Sequence, residues 1–230
     1  MKKILLIGMM FTSQFFYAQE TEVVSDSTWI KKGNIAILGS QSSFSQWQAG
    51  GSNNLAINGS LNYDINYKKG DWTWDNKFIA MYGINKLKGQ EQQKTDDRLE
   101  INSILGKKAS GEWYYSAFAN FKTQFDAGMN PDSLEQRISH FMSPAYLQFG
   151  PGMLWKKNDN LKVNLAPATA RFIFVHSHFT DFEESFGVEQ GKSMRFEFGA
   201  AVNAYYKVEV MENFTIENIL NLYSNYLEDP

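Results

Sequence analysis

The sequence predicts an all-β protein, an antiparallel up-and-down β-barrel of the transmembrane kind, and three observations carry that prediction. Long runs alternate apolar and polar residues with a period of two. The connections between runs are alternately short and long. Large aromatic side chains gather beside the short ones. Mean hydropathy is −0.40, too polar for a helical membrane protein, while 43% hydrophobic and 15% aromatic residues supply ample apolar surface.

Residues 1–19, MKKILLIGMMFTSQFFYAQ, have a positive start at Lys2 and Lys3, an apolar stretch from Ile4 to Phe16 and a cut site near Ala18 or Gln19. That is the pattern of a cleaved signal peptide, and it directs the mature chain outward to the outer membrane. Thr12, Ser13 and Gln14 interrupt the apolar stretch and argue against a permanent helical anchor. Residues 20–32 are expected to form a periplasmic N-terminal segment, and residues 33–230 the barrel. The chain has no cysteine, which excludes thioether lipid anchoring, disulfides, iron–sulfur clusters and thiol catalysis. Loss of Lys2 and Lys3 with the leader takes the formal net charge from −3 to −5. With no basic patch, nucleic acid is excluded as a partner.

The strands follow in order. From Leu55 to Tyr67, Leu55, Ile57, Leu61, Tyr63, Ile65 and Tyr67 alternate with Ala56, Asn58, Ser60, Asn62, Asp64 and Asn66. After a reversal at Lys69, Gly70 and Asp71, the division reappears with Trp72, Trp74, Phe78, Ala80 and Tyr82 set against Thr73, Asp75 and Lys77. Residues 113–125 and 194–208 alternate as clearly. Weaker runs at about 33–46, 95–107, 139–156, 160–175 and 213–226 bring the expectation to nine strands, each long enough to cross a tilted bilayer path. Connections near 69–70, 108–111, 157–159 and 210–213 are tight, as periplasmic turns are. Those near 86–94, 127–138 and 176–191 are long and polar, as external loops are.

On this plan Tyr67, Trp72, Trp74, Trp113, Tyr115, Trp155 and Tyr206, with Phe214, form an aromatic girdle at one membrane–water interface. Tyr82, Phe125, Phe141, Phe172 and Tyr226 form a second near the long loops. The same aromatics could instead fill a soluble sandwich or a ligand-binding barrel, but so many large rings would overfill a closed interior of eight or nine strands. Turning the apolar face outward resolves this and sends Asp64, Lys77, Arg98, Glu100, Lys122, Lys162, Arg195, Glu197 and Lys207 toward a hydrated lumen. Charges of both signs two residues apart, Arg98 with Glu100 and Arg195 with Glu197, predict ion pairing and a narrow interior. A single-chain barrel closes with an even strand number, so the nine strands are read as part of roughly ten to twelve, the C-terminal ones missing.

Five segments, SQWQAGGSNN (45–54), WTWDNKFIAMYGINK (72–86), KTDDRLEINSILG (94–106), WYYSAFANFKTQF (113–125) and FMSPAYLQFGPGM (141–153), resemble an exported family catalogued only as a domain of unknown function. The resemblance spans about residues 29–226. It implies a Gram-negative protein with an outer-membrane β-barrel fold, and it supplies no activity and no catalytic residues.

Little else points to chemistry. His176, His178 and Asp181, in HSHFTDFEE (176–184), are the nearest approach to a metal-ligand set, but no third histidine lies close, and a polar external loop is the preferred reading. Ser177 and His178 are neighbours on a strand and would point to opposite faces, which disfavours a nucleophile–base pair. QAGGSNN (48–54) lacks the lysine and following helix of a phosphate loop. Gly150, Pro151 and Gly152 predict a bulge or bend within a strand. The expectation is therefore a non-enzymatic outer-membrane protein without a cofactor, whose partners are membrane lipid and the barrel-assembly machinery. Its role would be passive passage of small solutes through a narrow or plugged lumen, or a structural, surface-exposed one. The alternatives are a lipid-modifying enzyme using His140 or residues 176–178, and a soluble periplasmic ligand-binding barrel.

Overall fold

The computed structural model describes residues 28–45, 51–130 and 133–228. The expected signal peptide and residues 20–27 lie outside that range, as do residues 46–50, which include the first three of QAGGSNN. The strands are β1 (Trp29–Ser42), β2 (Asn54–Lys69), β3 (Trp72–Leu87), β4 (Gln93–Ser110), β5 (Trp113–Thr123), β6 (Gly128–Asn130), β7 (Ser133–Ser139), β8 (Ala145–Asn158), β9 (Leu161–Phe174), β10 (Met194–Met211) and β11 (Phe214–Asn225). All but β6 and β7 join one nine-stranded antiparallel sheet, in the order β1-β2-β3-β4-β5-β8-β9-β10-β11, which curls into a half-barrel. β6 and β7 pair only with each other, as a hairpin within the β5–β8 connection. Among the described residues β1 pairs only with β2, and β11 only with β10.

Gly70–Asp71, Gly111–Glu112, Asp159–Asn160 and Glu212–Asn213 are two-residue reversals, and all four lie at the same end of the sheet. A left-handed backbone position helps a tight hairpin match the twist of its strands, and three of the four have one. Gly70 (φ 55°), Gly111 (φ 57°) and Asn213 (φ 62°) supply it. Asparagine is among the few residues with a side chain that adopt this conformation readily.

Three boundaries differ from the sequence reading. β1 starts at Trp29, so residues 29–32, expected to precede the barrel, belong to the sheet. Its apolar residues, Ile30, Ile35, Ile37 and Leu38, fall on both faces, which leaves no clean alternation to mark its start. β3 and β4 run to Leu87 and from Gln93, which shortens the expected 86–94 loop to five residues. Their ends are polar, and backbone pairing continues where hydrophobic periodicity has stopped. The hairpin of β6 and β7 was expected to be plain loop.

The predicted irregularity at Gly150, Pro151 and Gly152 is present, with its extra residue on the neighbour. Between the pairs Phe149↔Ala170 and Met153↔Leu165, three residues of β8 oppose four of β9. A β-carbon on Gly150 would lie 2.4 Å from the Ala168 carbonyl oxygen, and one on Gly152 would lie 2.5 Å from that of Leu165. The bulged backbone of β9 therefore occupies the space these glycines vacate.

The turn chemistry is testable. Nothing lies within 4 Å of a β-carbon built on Gly70 or on Gly39 in β1, but only Gly70 has a positive φ. Gly70→Ala should cost about 1–2 kcal/mol through backbone conformation alone. Gly39→Ala should change stability by no more than about 0.5 kcal/mol. Urea-unfolding midpoints of the two variants provide the comparison.

Candidate functional site on the concave face

Side chains alternate across a strand, so curling the sheet brings one set together and spreads the other apart. The polar set is the one brought together. Asp75 of β3 is buried, and its carboxylate accepts from Lys156 Nζ of β8 at 2.9 Å and Lys162 Nζ of β9 at 2.8 Å. Those strands are separated from β3 by β4 and β5, so the bonds cross the hollow. Lys156 also donates to Thr73 Oγ1 (3.2 Å) and pairs with Asp159 in the β8–β9 turn (3.0 Å). Lys77 joins Asp64 of β2 (3.4 Å) to Glu217 of β11 (2.8 Å). The ring of Tyr205 lies under both Lys77 and Lys162, at 5.6 and 5.1 Å. This network occupies the end with the tight turns.

A second network lies toward the long connections. Arg98 Nε donates to Glu100 at 2.9 Å, and Asn102 Nδ2 reaches the other oxygen of Glu100 at 2.9 Å. Glu197 holds Arg195 at 2.9 Å and Arg171 at 3.4 Å. The Arg171 guanidinium lies between the rings of Tyr146 (5.3 Å) and Tyr223 (5.0 Å). Arg195 also donates to the Gly187 carbonyl oxygen (2.9 Å) and pairs with Glu228. The β9–β10 connection that supplies Gly187 has its own small core, in which Val175 and Val188 pack with Ile173, Tyr146 and Phe179.

Between the two networks the hollow is obstructed. Phe118 of β5 packs against Ala166 of β9 and Ala201 of β10, flanked by Ile104 and Tyr223. Beside it Ser116 donates to Asn164 (2.6 Å), Asn164 to Asn203 (3.2 Å) and Asn203 to Asn221 (3.0 Å), a chain of bonds from β5 to β11. On the turn side of Phe118 remains a cavity of about 230 Å³, lined by asparagine amides, the Tyr205 ring and several lysines.

Of the nine residues assigned to a lumen, Asp64, Lys77, Arg98, Glu100, Lys162, Arg195 and Glu197 join the two networks, and Lys207 borders the cavity. Lys122 shares their face, opposite Glu100 in register, but is exposed and makes no ion pair among the described residues. Asp75, Lys156, Arg171 and Glu217 were not singled out in the sequence. Asp75 and Glu217 do fall on the polar phase of their strands. Lys156 also keeps the polar phase of β8, in a run too weakly alternating to draw attention, whereas Arg171 lies beyond the extra residue in β9, where simple alternation loses count. Phe118 was missed because an aromatic on a polar phase reads as an exception.

The convex face carries the aromatics. Tyr67, Trp72, Trp74, Trp113, Tyr115, Trp155 and Tyr206 all lie on it, in the half near the tight turns. Trp72, Trp74, Trp113 and Tyr206 are each 40–45% exposed, and Tyr115 is 65%. Trp29 extends the group, with ring centroids 4.9 Å from Tyr67 and 5.9 Å from Trp74. It escaped notice because β1 was expected to begin after it. Near the other end Tyr82, Phe125, Phe141 and Tyr226 are exposed, while Phe172 is half-buried against Phe149 and Phe196. At the same end the Tyr82 hydroxyl and the Ala127 amide both donate to Asp126, which holds that loop carboxyl below its usual range.

His176, His178 and Asp181 do not form a metal site. The His176 Nδ1 accepts from the His178 backbone N–H at 3.2 Å, capping the short helical turn Ser177–Phe179. Among the described residues no group of three or more histidine, aspartate or glutamate side chains could hold a metal ion. The His140 ring packs instead on His176 and Phe179, at 5.4 and 5.1 Å.

Residues 40–129 match a family described as "Protein of unknown function (DUF3078)". The match takes in β2 to β5 and four of the five segments on which the resemblance rested, a shorter span than the 29–226 expected. No curated protein and no solved structure matches the chain significantly.

Asp75 provides a direct test of the hollow. Asp75→Ala takes the carboxylate from Lys162 and leaves Lys156 with Asp159 alone, and should cost about 3 kcal/mol. Adding Lys162→Met removes the orphaned charge and should recover part of that loss. A double-mutant cycle on chemical unfolding reads the coupling directly.

Proposed function

We propose that this chain forms the wall of an outer-membrane β-barrel, with its convex face against lipid and its concave face lining a narrow, obstructed lumen. The observation that carries the reading is the inverted distribution of polarity. The ion pairs and amide chain meet inside, while tryptophan, tyrosine, phenylalanine, leucine and isoleucine stand exposed outside. A soluble curved sheet of this size would bury its aromatics. An apolar face that wraps a sheet is what hydrocarbon solvates best. The strands of the large sheet, 11 to 18 residues long, are at least as long as a tilted crossing requires.

Aromatics gathered near the tight turns fit one membrane–water interface, and this rim would face the periplasm. The opposite rim, with its folded connections, would face outward. The ion pairs and Phe118 argue against a wide pore. The role that fits is slow passage of small polar solutes, or a structural, surface-exposed one.

Membrane fractionation checks the reading. The protein should sediment with membranes, require detergent for extraction and migrate faster on gels before boiling than after. A monomer soluble in plain buffer would contradict it. Once reconstituted, Phe118→Ala should raise solute permeation several-fold over the parent in proteoliposome swelling.

A further inference from the structure

Four lysines, Lys32, Lys77, Lys162 and Lys207, line the cavity against three aspartates, Asp64, Asp75 and Asp159. Asp75 holds Lys156 and Lys162, Asp159 also holds Lys156, and Asp64 and Glu217 share Lys77. One base is in excess. Lys207, on β10, lies opposite Glu217 in register, but Glu217 makes its short contact with Lys77. Lys32, on β1, lies opposite Asp64, which also turns to Lys77. Neither Lys32 nor Lys207 makes an ion pair among the described residues, and both border the 230 Å³ cavity. The chain as a whole has a formal net charge of −3, so this positive excess is local and opposes the overall balance.

We propose that the cavity on the turn side of Phe118 is a binding site for a small anion, a carboxylate or phosphate, held by the Lys207 ammonium group. The inference rests on reading the hollow as a lumen and names the class of solute it would admit. Lys207 is exposed where it borders the cavity, so an anion can reach its ammonium group from solvent and be drawn on by the local positive charge. The Lys162 and Lys77 amines are tied to Asp75, Asp64 and Glu217, so they contribute field without being released. Amides of Asn203 and Asn221 in the lining offer neutral donors and acceptors for the rest of the ligand. Phe118 forms the floor and sets the depth. The recess, about 230 Å³, has room for a compact anion.

Isothermal titration of the detergent-solubilised protein tests this, with succinate and inorganic phosphate as separate probes and ethylenediamine, a dication, as the opposite charge. At least one anion should bind saturably and the dication should not; which anion binds tells carboxylate from phosphate. Lys207→Gln should weaken binding tenfold or more, and Lys207→Arg, which keeps the charge, should restore most of it. Lys122→Gln makes the same change in charge at the other end and should leave binding unaltered. The proposal is overturned if neither anion gives saturable heat, if the dication binds as well, or if Lys207→Gln and Lys122→Gln behave alike. Detergent dependence is measured separately, so a protein soluble without it would unseat the membrane reading whatever the titration shows.

Discussion

The curvature of the sheet is tied to Asp75. A carboxylate in this position, with almost no access to solvent, carries a large desolvation penalty unless cations meet it. The two that do come from β8 and β9, strands that would stand far from β3 if the sheet were flat. Rolling the sheet is therefore the condition for keeping Asp75 charged. Lys77 adds a second tie of the same kind, between β2, β3 and β11. Neighbouring strands are held by backbone hydrogen bonds, as in any sheet. The distant ones are held by these few side chains, and their geometry sets the width of the hollow.

The outer surface follows from the same constraint. Once the charged residues point inward, the other phase of each strand is left outside, and there it is apolar almost throughout. Near Trp74 the polar exceptions are tied together: Trp74 Nε1 donates to Ser103 Oγ (2.8 Å), Ser103 Oγ to Asn76 Oδ1 (2.8 Å), and Asn76 Nδ2 to the Ile65 carbonyl oxygen (2.9 Å). Such groups need partners wherever water is scarce. A tryptophan that spends its indole N–H on a neighbouring strand is also fixed in orientation.

Much of this was legible in the sequence, and the failures share a cause. Period-two alternation identified β2, β3, β5 and β10 and the face on which Asp64, Lys77, Glu100 and Glu197 lie, because a strand with one wet side and one greasy side leaves that signature. Alternation is blind to which strands meet across a curved sheet. It could place Asp75 on the polar side, but could not pair it with Lys156, eighty-one positions on. It also lost phase at the bulge between β8 and β9, which hid Arg171. The histidine-containing segment 176–178, read as a polar loop in preference to a metal site, does lie in a connection between strands. In the folded loop, one ring serves as a backbone cap.

The four two-residue reversals at one rim have a consequence for how such a chain can change through descent. Each holds its two strands in register, and a slip of one residue in that pairing would turn the following strand inside out, charge toward the exterior and indole toward the hollow. Added residues in these hairpins must be absorbed beside the turn, as the one-residue shifts at Lys108/Ser110, Lys156/Asn158 and Glu209/Met211 are. At the opposite rim the looser segments can absorb any number, so variation in length should collect there, on one side of the molecule alone.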